Sequence, residues 1–137
     1  MRVLASFGNH HDASYDGRFP DLTGFTPAAV LLTRVVSRPA SDRVTFDLGT
    51  KAVASDPPAG QRVTLLGVPD ARPVGHNEEH YIVETSEAER FSPGDVAYAV
   101  PYHVCPTVAL HRFAHTVEGG RVTGRWEVVA RDRQLQF

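Results

Sequence analysis

Lysine, cysteine and long apolar runs are all scarce in this chain. Lys51 is the lone lysine and Cys105 the only cysteine among 137 residues. Chemistry that needs a side-chain amine nucleophile therefore has one candidate, and a single cysteine cannot form an internal disulfide, which fits a reducing compartment. No apolar run reaches the length of a membrane span, and residues 1–19 lack the order of segments found in a signal peptide. We therefore expect a cytoplasmic protein with no membrane partner.

Excess positive charge is lacking as well. The formal net charge is −2, which gives no basic field for nucleic acid or anionic lipid. The apolar fraction of 42% and the charged fraction of 22% are typical of a soluble globular protein, and the length suits one domain. These totals predict a soluble single domain that does not bind nucleic acid.

Helical periodicity is nearly absent, and strand patterns separated by turns fill most of the chain. Residues 1–27, rich in Gly, Asp, Asn, Pro and His, predict an irregular N-terminal arm, and residues 28–137 predict one β domain. The run "AAVLLTRVVS" (28–37) is typical of a strand buried on both faces, and "RVTFDLG" (43–49) alternates as a second strand. Further strands are predicted at "QRVTLLGV" and "HYIVET", with "PDARPVGHNEE" as a loop between them.

The later strand patterns also predict how side chains alternate between faces. "DVAYAVP" alternates Val96, Tyr98 and Val100 toward one face, and Trp126 has the spacing of a core residue in the last strand. Trp126 is therefore expected to lie in the core.

Two turns complete the predicted architecture. "SEAERFSPGD" (86–95) predicts a short helical turn with Ser86 as N-cap. Gly119-Gly120 joins two extended runs as a hairpin, because glycine adopts positive φ at little cost. About seven short strands with frequent turns predict an all-β fold, an antiparallel barrel or sandwich.

The stretch "VPYHVCPTVAL" (100–110) carries the strongest hint of chemistry. In an extended strand His103 and Cys105 would share one face while Val104 points the other way. Pro101 and Pro106 flank the pair and predict release from regular pairing at both ends. An imidazole and a thiolate that meet at one point suit zinc, a borderline-soft ion.

Two ligands leave such a zinc site incomplete, as expected of a catalytic or substrate-binding ion rather than a structural one. Further ligands could come from water, from substrate or from the block "GHNEEH", whose candidates are His76, Glu78, Glu79 and His80. Two alternatives stay open from spacing alone. Cys105 could be a buried small hydrophobe, or the pair could be a nucleophilic Cys–His couple, for which no orienting third group is evident.

Several longer blocks resemble a known family when taken together. They are "LLTRVVSRP", "DLGTKAVASD", "GHNEEHYIVE", "FSPGDVAYAVPYHVCPTVALHRFAHTVEGGRV" and "WEVVARDR", in this order. Over residues 27–133 the chain resembles the C-terminal β domain of the D-threonine aldolase and D-serine dehydratase family. These are fold-type III pyridoxal phosphate enzymes, built like alanine racemase from a (β/α)8 barrel and a β domain.

The resemblance implies a metal site. In the dehydratases a His-x-Cys pair binds zinc near the pyridoxal phosphate, and His103 and Cys105 match that pair. The aldolases generally have His-x-Asp, which suits manganese, so the substrate, a D-amino acid with a β-hydroxyl, stays open between the two branches. The match also implies a substrate or supporting role for Tyr102, and for Glu79 and His80 as an additional ligand or hydrogen-bonding partners.

The family's barrel has no counterpart in these 137 residues. In the family the barrel carries the Schiff-base lysine and the phosphate-binding elements, so these have no counterpart here either. Lys51 is expected to pair with an acid such as Asp47 or Asp56 rather than to form a Schiff base. Pyridoxal phosphate is therefore expected only if a barrel domain or subunit completes the chain, and the isolated chain is expected to be inactive. The resemblance also implies a homodimer.

Three hypotheses follow. The chain is the metal-bearing part of a D-amino acid lyase, or a freestanding metal-binding or dimerisation module without catalytic activity, or a structural remnant in which His103 and Cys105 are simply packed.

Overall fold

Strands make up most of the described part of the chain. The computed structural model describes residues 2–5, 27–132 and 134. Its strands are β1 (Arg2–Ala5), β2 (Ala29–Ala40), β3 (Arg43–Phe46), β4 (Val63–Leu65), β5 (Arg72–His76), β6 (Tyr81–Glu84), β7 (Val96–Pro101), β8 (Phe113–Glu118) and β9 (Arg121–Glu127). The helix α1 spans Val104–Ala109, and short 3-10 turns span Ala88–Arg90 and Val129–Arg131. The predicted all-β class is confirmed, with more strands than the sequence predicted.

The strands are organised around the long strand β2. Its first part pairs with β1 and β7 and its later part with β3, with register shifts on both sides of Ser37. The main path runs β5-β6-β3-β2-β1-β8-β9, and β7 links β2 to β4. These pairings are antiparallel except for β1 with β8. The prediction of an irregular arm is wrong for Arg2–Ala5, which form β1, and residues 6–26 of the arm lie outside the described residues.

Only one face of β2 is buried, contrary to the prediction of a strand buried on both faces. Leu31, Thr33 and Val35 are buried, whereas Arg34 and Val36 are exposed. The apolar run therefore reflects strand propensity more than two-sided packing.

The predicted alternation of β7 holds for Val96 and Tyr98, which share an exposed face, but not for Val100, which is buried. Ala97 and Ala99 are buried, whereas Val96 and Tyr98 are each 43% exposed. Small residues suffice on the inner side because larger side chains such as Phe46 already fill the core. The outer side of β7 is left with an exposed apolar surface.

Three further predictions differ from the structure. Trp126 is 47% exposed on β9, which among the described strands pairs with β8 alone, so the predicted core position is wrong. Strand β5 forms inside the stretch predicted as a loop. The hydroxyl of Ser86 does not cap the 3-10 turn but donates to Asp70 Oδ2 at 2.7 Å. Hydrogen bonds from Thr85 and Ser86 lower the pKa of Asp70 to about 2.

The hairpin at Gly119-Gly120 is confirmed. The two glycines have φ of 54° and 76°, conformations that other residues adopt only with strain. The extended run predicted before it is shorter, since residues 104–109 are helical. Among the described residues no helix is long and apolar enough to cross a membrane.

Candidate functional site

The predicted metal-binding pair lies at a strand-to-helix junction. Strand β7 ends at Pro101, and His103 is the extended N-cap residue of α1 with φ −119° and ψ 103°. Cys105 and Pro106 lie in the first helical turn, where a proline without an N–H removes no helical hydrogen bond. The prediction that His103 and Cys105 share one face of a strand is therefore wrong, although their proximity in the chain remains.

His103 is held by a carboxylate from another loop. Its Nδ1 lies 2.5 Å from Asp56 Oδ2. An ionised carboxylate can only accept hydrogen bonds, so Nδ1 carries the proton and donates it. In the neutral imidazole the lone pair is then on Nε2. Metal-binding histidines almost always make such a contact with the nitrogen that does not bind the metal, so the His103–Asp56 pair suits a metal ligand.

The loop that carries Asp56 is tied to α1 by further hydrogen bonds. Thr107, which is 1% exposed, donates from Oγ1 to the carbonyl of His103 at 2.7 Å and accepts from the Ala54 N–H at 3.1 Å. His111 donates from Nε2 to the Ala52 carbonyl at 2.8 Å, and burial lowers its pKa. Each such bond contributes about 0.5–1.5 kcal/mol. No local pattern in the sequence indicates the contacts to Ala54 and Ala52, because they join residues 53 and 59 positions apart.

Lys51 pairs with the "GHNEEH" block rather than with the acids predicted from sequence. Its Nζ lies 2.7 Å from Glu79 Oε1 and 3.1 Å from Glu78 Oε2. The hydrogen bonds to Glu79 and Glu78 raise the pKa of Lys51. The predicted partners Asp47 and Asp56 contact Thr33 and His103 instead. A lysine held in its charged form is a poor amine nucleophile, so Lys51 does not fit the role of Schiff-base residue.

The remaining candidate ligands do not converge on His103. Both ring nitrogens of His76 are engaged, since Nδ1 accepts from Arg62 Nη1 at 3.2 Å and Nε2 donates to the Leu48 carbonyl at 3.0 Å. His80 is half-buried beside β6. Over residues 27–132 no three His, Cys, Asp or Glu side chains form a group that could hold a metal. Among the described residues, the junction thus presents only part of a ligand set.

Cys105 and Tyr102 lie close to His103 in the chain and differ in how far they are exposed to solvent. Cys105 is an exposed free thiol, which contradicts its reading as a buried small hydrophobe. Tyr102 is half-buried, and its N–H donates to the Arg62 carbonyl at 2.9 Å. Asp56 supplies the orienting acid that the sequence did not reveal for a nucleophilic Cys–His pair. The geometry of the junction therefore suits either a metal ligand or a nucleophile.

Comparison with known proteins decides the family. The family described as "Putative serine dehydratase domain" matches residues 28–117. This chain belongs to that family. A D-threonine aldolase from Arthrobacter sp. is 36% identical over 110 residues, which is 78% of this chain and 28% of that enzyme. The resemblance inferred from the sequence blocks is confirmed.

Solved structures agree with this assignment. A D-threonine aldolase from Filomicrobium marinum superposes with a TM-score of 0.77 at 28% identity, over 88% of this chain and 33% of that one. A D-threo-3-hydroxyaspartate dehydratase from Delftia sp. has the same fold, with a TM-score of 0.62 at 23% identity over 74% of this chain and 32% of that one. The chain thus spans about a third or less of these enzymes.

In some shorter relatives the matched region makes up most of the protein. Uncharacterized proteins from Mycobacterium bovis and Mycobacterium tuberculosis are 31% identical over 111 residues, which is 79% of this chain and 84% of each relative. The family therefore includes proteins in which this domain is not a minor part.

Proposed function

We propose that this chain is the metal-binding β domain of a pyridoxal phosphate-dependent lyase that acts on D-β-hydroxy-amino acids, with His103 and Cys105 as the zinc ligands. The observation that carries the proposal is the contact between Asp56 and His103 Nδ1 at 2.5 Å. It fixes the proton on Nδ1, and so makes Nε2 the nitrogen suited to bind metal.

The comparisons support a metal in preference to a nucleophile. Solved structures of a D-threo-3-hydroxyaspartate dehydratase include a histidine-to-alanine variant and a cysteine-to-alanine variant two positions further on, the latter described as metal-free. His103 and Cys105 have that spacing in a chain of the same fold. A soft thiolate favours zinc, with manganese as the less suited alternative.

The donor set fits an open metal site rather than a structural one. One imidazole and one exposed thiol leave positions for water, substrate or groups from another domain. When bound there, zinc would supply Lewis-acid polarisation of the substrate's β-oxygen. The chain's own contribution is positional, since Asp56 keeps the proton on Nδ1 and Thr107 holds the backbone of the junction to the neighbouring loop.

The binding site for pyridoxal phosphate has to be supplied by another domain. Lys51 is exposed and paired with Glu79 and Glu78, so it does not fit as the cofactor's lysine. We infer that a (β/α)8 barrel, as a domain or a subunit, supplies the cofactor site and completes the enzyme. Tyr102 and His80 then remain candidates for contact with the D-amino acid substrate, whereas Glu79 is already engaged by Lys51.

An exposed apolar face offers a surface for that partner. Leu66, Val96 and Tyr98 are 43–49% exposed on β7 and just after β4, and they line a pocket of about 390 Å³ whose wall also carries Arg90 and Asp95. Apolar patches of this kind commonly mark interfaces. We infer that this face packs against the barrel or a second copy of the chain in a homodimer.

A second candidate function is a freestanding metal-binding or dimerisation module. The mycobacterial relatives favour it, because this chain covers 84% of their length. Such a module would keep zinc and self-association but would gain no lyase activity from a barrel.

Native mass spectrometry tests the metal proposal directly. The chain is loaded with zinc, freed of excess and compared with a His103→Ala, Cys105→Ser double variant and with a His115→Ala control. Zinc retained by the parent and the control but lost in the double variant supports the site. Equal zinc content in all three would place the metal elsewhere or nowhere. Lyase activity that appears only after addition of a separately expressed barrel separates the enzyme part from the freestanding module.

A further inference from the structure

A second pocket lies beside β5, and neither His103 nor Cys105 is among the residues that line it. It has a volume of about 360 Å³ and is lined mostly by small or apolar residues, among them Gly60, Val74 and Gly75. Arg62 is the charged residue that lines it, next to His76. The size is within the range of small-molecule sites.

The Arg62 guanidinium is fixed by neutral partners. Its Nε donates to the Pro57 carbonyl at 3.0 Å and its Nη1 to His76 Nδ1 at 3.2 Å. His76 is fixed in turn, because its Nε2 donates to the Leu48 carbonyl at 3.0 Å. The ring that accepts from Arg62 is therefore the neutral imidazole, and the rotamer of Arg62 is held without an acid.

No acidic side chain within residues 27–132 forms an ion pair with Arg62. Some arginines of the chain have such partners, since Arg43 and Arg72 both contact Glu84, whereas Arg34 and Arg38 contact backbone carbonyls. A guanidinium has five N–H donors, and the contacts to Pro57 and His76 use two of them. Three donors on a half-buried cation remain for a ligand.

The chemistry of these donors identifies the class of ligand. The planar fork of a guanidinium matches a carboxylate through two parallel hydrogen bonds. A single cation suits a monoanion better than a phosphate dianion. Glycines and Val74 in the walls favour a small apolar body over a polar or bulky one. We propose that this pocket binds the carboxylate of a small aliphatic acid through Arg62. This site is additional to the metal site proposed above.

Nuclear magnetic resonance of the zinc-free, ¹⁵N-labelled chain tests the proposal, with propionate as probe and with chloride and inorganic phosphate as comparison anions. Propionate is expected to cause saturable shifts of the Gly60 and Gly75 amides with a dissociation constant on the order of 1 mM, and to leave the Gly124 amide unchanged. Equal shifts with chloride would mean a salt effect and would overturn the proposal, as would the lack of any saturable shift.

Two variants locate the site. Arg62→Gln is expected to weaken propionate binding at least tenfold, and the surface variant Arg112→Gln to leave it unchanged. Arg62 also holds the loop at Pro57, so Arg62→Gln changes that loop as well as the pocket. Val74→Glu is therefore the second test. It adds a carboxylate to the pocket wall as an internal competitor and retains Arg62. Full propionate binding in a folded Arg62→Gln or Val74→Glu chain would overturn the assignment.

Discussion

Replacement of Asp56 by asparagine is the sharpest test of how the junction binds metal. The side chains have nearly the same shape, but the amide is uncharged and can donate as well as accept. In the parent, Asp56 Oδ2 accepts the proton of His103 Nδ1 at 2.5 Å. In Asp56→Asn the ring can instead keep its proton on Nε2, which blocks the nitrogen proposed to bind zinc.

The size of the expected loss of zinc affinity in Asp56→Asn depends on how exposed the side chains of His103 and Asp56 are. Loss of a residue that orients a metal-bound histidine typically costs 10–100-fold in metal affinity. The side chains of His103 and Asp56 are 37% and 52% exposed, so solvent screens part of their interaction. We therefore expect the lower end of the range, about tenfold, which corresponds to about 1.4 kcal/mol.

Two measurements check this expectation. Competition of the chain with a zinc-binding dye gives the affinity, with Glu89→Gln as a control that removes an exposed acid from another turn. The ¹⁵N shifts of His103 in the zinc-free chain give the tautomer without reference to metal. A parent ring protonated on Nε2 would refute the reasoning about Asp56, whereas the expected tautomer without zinc binding would refute the metal site alone.

Further expectations concern the loops and the outer face. Gly49→Ala would place a Cβ 2.1 Å from the Glu78 carbonyl oxygen, so the loop must shift and we expect a loss of about 1–3 kcal/mol in urea unfolding. Burial lowers the pKa of His111, so its contribution to stability is present above the unfolded value near 6.5 and is lost as the pH falls through the lowered pKa. His111→Gln should therefore flatten the dependence of unfolding free energy on pH below about 6.5, and an unchanged slope would contradict this. Tyr98→Ser should reduce self-association in concentration-dependent light scattering, and unchanged association would exclude this face as the interface.

The sequence predicted the fold class because strand alternation and turn chemistry are local. The turn at Gly119-Gly120 needs positive φ, and this requirement is visible in the residues themselves. The buried face of β7 could not be predicted in the same way. Its larger residues Val96 and Tyr98 point outward, and only the tertiary packing of the core shows that alanines suffice inside.

The geometry around the candidate residues was not predictable from the sequence. The spacing and the surrounding blocks made His103 and Cys105 the candidate ligands, yet period-2 reasoning placed them on a strand. A helix of six residues after β7 is too short to give a periodic signal. Asp56 was missed as a partner of His103 because the contact joins residues 47 positions apart.

If His103 and Cys105 are the only protein ligands that this chain offers to zinc, the zinc affinity should depend on whether a partner adds further ligands. Zinc held by one imidazole and one thiolate lacks the protein ligands that make structural sites tight. A ligand to zinc that comes from the barrel or the substrate raises the affinity of the chain for zinc. By linkage, bound zinc then raises the affinity of the chain for the barrel or substrate by the same factor. Zinc affinity of the isolated chain should therefore be lower than that of the chain with its barrel, and should rise when the barrel is added. A freestanding module has no such requirement, so its zinc affinity would stay unchanged in the same titration.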